Sequence, residues 1–143
     1  MPIEEIKLIK PVWHTKTTDI NLALQPDQLI DKYVDSGFHI YKTSWSNLHL
    51  ALEPTYSKLY SDCNLWTKNQ DHDKIARVLD NWKNKTPLIP PMLIDNGYNK
   101  LVPADGKHRI KVASILDKTE ITFILFKIDL LTTKTYFQPT LIH

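Results

Sequence analysis

The chain has 143 residues, 42% of them apolar and 24% charged, which is the composition of one globular domain and excludes a disordered, collagen-like or coiled-coil chain. Its 18 basic and 16 acidic side chains leave a formal charge of +2, so the chain as a whole is no polybasic nucleic-acid binder and any anion site must come from local arrangement. The single cysteine, Cys63, excludes an internal disulfide and a four-cysteine zinc site. No run approaches the roughly 18 apolar residues of a membrane span, and the opening MPIEEIKLIK has acids where a secretory signal needs basic residues. A cytoplasmic protein with no membrane partner is expected.

Residues 3–9 (IEEIKLI) predict a strand that stops before Pro11, whose ring removes a ladder donor. Over 26–36, Leu29, Ile30, Tyr33 and Val34 recur at helical spacing, with Pro26 in the first turn and Gly37 where a cap belongs. The stretch 38–70 is rich in aromatics (Phe38, Tyr41, Trp45, Tyr56, Tyr60, Trp66) and broken by Pro54. It suggests strand fragments at 38–42 and 48–52 and a helical turn at 55–61. Over 71–85, Ile75, Val78, Leu79 and Trp82 mark a clear amphipathic helix that Asp71 can cap. After Pro87, Pro90 and Pro91 come a short strand at 92–94, an Asn96-Gly97 turn and a strand at 100–104. A helix at 107–116 and a buried strand at 120–128 follow, and 129–143 reads as edge strand and tail. Together these predict one compact α+β domain over 1–143, a mixed sheet with two to four helices.

The chemistry-bearing string is Asp105, Gly106, Lys107, His108 and Arg109, between a strand and a helix. A helix start presents unpaired amides and the positive end of the macrodipole, and Gly106 allows close backbone approach. Lys107, His108 and Arg109 in that first turn oppose the dipole, a local conflict that points to an anionic ligand. Phosphate suits them best: Arg109 can grip it bidentately, Lys107 adds a point charge and His108 a donor or proton-transfer group. Asp105 can cap the helix, orient His108, or hold a hydroxyl or Mg²⁺ beside a nucleotide. The same string is also a common turn with a solvated basic rim, and composition alone leaves both readings open.

The run 87–125, with its strand (PPMLID), hairpin, strand (KLVPA), DGKHR, helix (IKVASIL) and closing strand (ITFIL), resembles the ParB/sulfiredoxin superfamily. The helix at 71–85 and the opening IKLI followed by Pro11 suit that pattern, whereas 12–70 has no counterpart and stands as an aromatic-rich insertion or elaboration. The Asp-Gly-x-His-Arg form resembles the kinase-like and nuclease branches. That resemblance implies a nucleotide-phosphate-binding domain supporting phosphoryl transfer or nucleotide hydrolysis, as a kinase-like phosphotransferase, NTPase or nuclease. Its phosphate ligands would be Gly106, Lys107, His108 and Arg109, with Asp105 and His108 catalytic. Its ligand would be a nucleotide di- or triphosphate (ATP, ADP or CTP) with Mg²⁺. Lys107 stands where sulfiredoxins have their reactive cysteine, so sulfinic acid reduction is not expected. With fifteen residues after 128, the helix-turn-helix of the partitioning proteins is not expected. Two alternatives remain: a ParB-like DNA-binding protein or nuclease, and a non-enzymatic protein-interaction module using the aromatics of 33–66.

Other candidates are weaker. Gln70-Asp71-His72-Asp73 could hold a metal, but adjacent helical residues diverge and capping explains the acids. His14, His39, His49 and His143 lack ligand spacing. Glu4 or Glu5 could serve as a base at the phosphate site, although alternation along a strand lets only one of them face inward. Cys63 is expected to be a buried or inert thiol.

Overall fold

The computed structural model describes residues 3–6, 8–22, 31–66 and 71–143. Within them the α+β expectation holds. Helices α1 (Ile3–Ile6) and α2 (Asp31–Ser36) precede strand β1 (Phe38–Ser44). Helices α3 (Trp45–Ala51), α4 (Pro54–Ser61) and α5 (His72–Lys83) follow, then the hairpin β2 (Met92–Asp95) and β3 (Leu101–Asp105). Helix α6 (Lys107–Leu116), strand β4 (Glu120–Phe126), the single turn α7 (Leu130–Thr133) and edge strand β5 (Thr140–Leu141) complete the chain.

The sheet order is β3-β2-β4-β1-β5. Strand β1 pairs antiparallel with β4 along its whole length, from Phe38 opposite Phe126 to Ser44 opposite Glu120. Strand β2 pairs antiparallel with β3 and parallel with β4, so the sheet is mixed. Pro103 can sit in β3 because that strand is an edge. Strand β4 is buried on both faces by alternation: Ile121, Phe123 and Leu125 join the larger core under α3 to α6, and Ile124 and Phe126 the smaller one with Ile20, Leu22 and Ile40. Residues 12–70, expected as an elaboration, thus supply a strand inside the sheet.

Helix α5 forms where its apolar period places it, burying Ile75, Val78, Leu79 and Trp82. The Asp71 carboxylate caps it, accepting from the Asp73 and Lys74 amides at 3.0 and 3.2 Å. The Asn96-Gly97 turn is longer than two residues, because Asn96 Oδ1 accepts from the amides of Tyr98 (2.8 Å) and Lys100 (3.3 Å). The helix expected over 26–36 is described from Asp31 onward, and its first part lies outside the described residues.

Two expected strands are helical. Residues 3–6 form α1 and Leu8 and Ile9 close turns on it, the Leu8 amide donating to the Glu5 carbonyl and the Ile9 amide to that of Ile6. Ile6 and Ile9, three apart, are the buried pair, and Glu4 and Glu5 are both exposed. Residues 48–52 belong to α3 and its cap. Leu48, Leu50 and Leu52 alternate as a strand would, yet Trp45, Leu48 and Leu52 also match i, i+3, i+7, and Ser44 caps that register by accepting from the Asn47 amide at 3.1 Å. Leu48 is fully buried and Leu50 is 75% exposed. Leu48→Ala is therefore expected to cost about 2–5 kcal/mol in urea unfolding, whereas Leu50→Ala should stay within about 0.5 kcal/mol. Equal losses would contradict the helical register.

Candidate functional site

Strand β3 ends at Asp105 and α6 begins at Lys107, so the whole reversal is made by Gly106, at φ +85° and ψ 25°. Only glycine enters that region without strain. It is also crowded: a Cβ at Gly106 would lie 2.8 Å from Pro91 Cα and 2.8 Å from Arg109 Nη2. Pro91 is fixed in turn, since its carbonyl accepts from the Ile124 amide of β4 at 2.8 Å. The glycine thus holds the start of α6 against the strand that leads into β2.

The first-turn side chains take separate directions. Asp105, 8% exposed, accepts from the Gly106 amide through Oδ1 at 2.8 Å and pairs through Oδ2 with Arg109 Nη2 at 3.3 Å. Lys107 lies over the ring of Tyr56 in α4, its ammonium 5.8 Å from the ring centre. His108 lies within electrostatic reach of Asp71 and Lys74 at the N-terminal turn of α5. Burial first, then the ammonium of Lys74, hold its imidazole below the ordinary value of 6.5, with Lys107 and Arg109 adding to the effect and Asp71 opposing it. No side chain caps α6. The structure therefore places all five predicted residues at one junction, with Arg109 folded back on Asp105 and Lys107 resting on an aromatic face.

Lys74 and Tyr56 were not legible as partners of this turn, since each comes from another helix. Lys74 did carry a signal, being a cation in the first turn of α5 where the dipole disfavours it. Lys111 explains how α4 arrives. One helical turn after Lys107, it is fully buried and donates through Nζ to the carbonyls of Leu59, at 2.9 Å, and Asp62. Burial pushes its pKa down. The same face of α6 thereby docks the end of α4 and brings Tyr56 beside Lys107.

The remaining candidates carry other contacts, although Asp71 lies within electrostatic reach of His108. Asp71 is a capping residue, His72 meets Trp66 edge-on at 5.3 Å, and Gln70 lies outside the described residues. Among the described residues no group of three His, Cys, Asp or Glu side chains could hold a metal. His49 shares a 2.9 Å hydrogen bond with Ser57, and His143 Nδ1 accepts from the Thr17 amide at 2.9 Å. Glu5 lines a groove with Trp82 and Lys83 at the C-terminal end of α5, away from the end within reach of His108. Cys63 is exposed rather than buried, 3.8 Å from the Lys118 ammonium. Among the described residues no helix is long and apolar enough to cross a membrane.

No family model, curated protein or solved structure matches this chain.

Because both φ and Pro91 exclude a side chain, Gly106→Ala is expected to cost at least about 1–3 kcal/mol in urea unfolding. A loss below about 0.5 kcal/mol, the ordinary scatter of a neutral substitution, would contradict the packing described at the junction.

Proposed function

We propose that the β3–α6 junction binds the phosphate of a nucleotide, in the manner expected of a ParB/sulfiredoxin-like Asp-Gly-x-His-Arg string, with Lys74 as an added ligand from α5. The observation that carries this reading is the start of α6. It has no capping side chain, begins at a glycine pressed on Pro91, and carries Lys107, His108 and Arg109 in one turn, with Lys74 of α5 within electrostatic reach of His108. Each cation near the positive end of a helix costs some tenths of a kcal/mol, and a bound dianion offsets that cost while meeting the first amides. The small net charge of +2 favours a compact ligand over a duplex backbone.

Binding is better supported than turnover. Asp105, the candidate base or Mg²⁺ ligand, already gives one oxygen to an amide and the other to a guanidinium. Mg²⁺ therefore does not fit the carboxylate as it stands. Phosphoryl transfer or hydrolysis would require Arg109 to exchange Asp105 for the phosphate, which would release the carboxylate at the moment the ligand is gripped.

Lys74 and Lys107 are exposed and can be truncated without loss of the core. Lys74→Ala and Lys107→Ala should each weaken ADP, ATP or CTP binding up to about fivefold by calorimetry, the value of about 1 kcal/mol for one solvent-exposed ion pair. Unchanged affinity in both would reject the site. Arg109→Ala alone strands the Asp105 carboxylate, so it belongs with Asp105→Asn.

The His108 shift fixes a second expectation. An arriving anion raises an imidazole pKa that neighbouring cations and burial hold down, so binding takes up a proton. Affinity should rise as pH falls from about 8 through the ordinary histidine value of about 6.5, and the part due to His108 should vanish in His108→Gln. A pH profile identical in that variant would contradict the placement of His108 beside the ligand.

A further inference from the structure

The opposite end of α5 carries a second arrangement. The helix closes with the Lys85 amide donating to the Trp82 carbonyl at 3.0 Å and the Thr86 amide to that of Asn81 at 2.8 Å, the Schellman pattern. Lys85 occupies the left-handed position of that pattern, at φ +59°. Glycine is the usual residue there, because a Cβ crowds the backbone. An exposed lysine in its place is a choice against local stability, and it sets the Lys85 side chain at the edge of a groove.

The groove has a volume of about 710 Å³, within the size range of small-molecule sites. Ile9, Val12 and Trp82 line it, and Leu8, 82% exposed, stands at its mouth. Trp82 Nε1 donates to the Val12 carbonyl at 2.9 Å, and its ring, 2% exposed and packed edge-on against Trp13, closes the floor of the groove beneath Leu8 and Val12. Three exposed lysines, Lys10, Lys83 and Lys85, line the groove, with Glu5 the one acid among its described lining residues and the Asp117 carboxylate within electrostatic reach of Lys10.

We propose that this groove binds a small amphipathic anion, an apolar chain or ring ending in a carboxylate. The apolar part lies against Leu8 and Val12, over the buried Trp82, and the carboxylate sits among the three lysines, where charge complementarity fixes its orientation. The site is independent of the β3–α6 junction, because the 12 residues of α5 separate the two by about 18 Å.

Decanoate titrated into the full chain, followed by calorimetry and tryptophan fluorescence, tests the proposal. Saturable binding at one site is expected, with decanol at least tenfold weaker. The pair Lys10→Glu and Lys83→Glu should weaken decanoate at least tenfold at an unchanged unfolding midpoint. Lys85→Gly should lower decanoate affinity at least threefold while the melting temperature holds or rises, which a merely structural role for Lys85 would not produce. Absence of saturable binding, equal affinity for decanol, or affinity lost only in step with stability would each overturn the proposal. Association with anionic lipid vesicles but not with free decanoate would overturn it in favour of a membrane-surface patch.

Discussion

The backbone contact between Gly106 and Pro91 governs the C-terminal half, because two independent constraints meet at one residue. The left-handed φ of +85° turns the chain from strand to helix within a single residue, and the absent Cβ lets that turn close on the segment entering β2. Pro91 cannot retreat, since its carbonyl belongs to the parallel pairing of β2 with β4. The start of α6 is thereby fixed relative to the centre of the sheet, and everything its first turn presents inherits that position.

From this point α6 acts as a distributor. Lys107 and Lys111, one helical turn apart, both face α4: one lies over Tyr56 and the other satisfies the carbonyls of Leu59 and Asp62. His108 lies within electrostatic reach of the capped start of α5, and Arg109 returns to Asp105. The basic groups of α6 are therefore divided among partners on α4, α5 and the end of β3 rather than held in a single loop. Their mutual repulsion is relieved only in part, by the Asp105 and Asp71 carboxylates and the Tyr56 ring. Such partial relief suits a surface that exchanges internal partners for an external anion.

Where one periodicity ran unopposed, the sequence was enough. Helices α5 and α6, the hairpin and β4 lie where their apolar spacing, caps and turn residues put them. The five residues of the junction were legible too, because a glycine and three basic residues at a helix start violate the usual electrostatic preference. What failed had two valid periods. Ile3, Ile6 and Ile9 fit a turn as well as a strand, and Leu48, Leu50 and Leu52 fit alternation until the Ser44 cap and Trp45 selected the helix. Lys74, Tyr56 and Lys118 were illegible as neighbours of His108, Lys107 and Cys63, since tertiary contacts across 30 to 55 residues leave no mark on local pattern.

The most direct test is amide chemical-shift mapping of the full chain during titration with ATP. The account predicts saturating shifts at Gly106, Lys107, His108 and Arg109 together with Asp73 and Lys74, where α5 meets His108, and none along β5. Saturation confined to residues remote from both helix starts, or no shift at Gly106 at millimolar nucleotide, would contradict the assignment of a phosphate site to this junction.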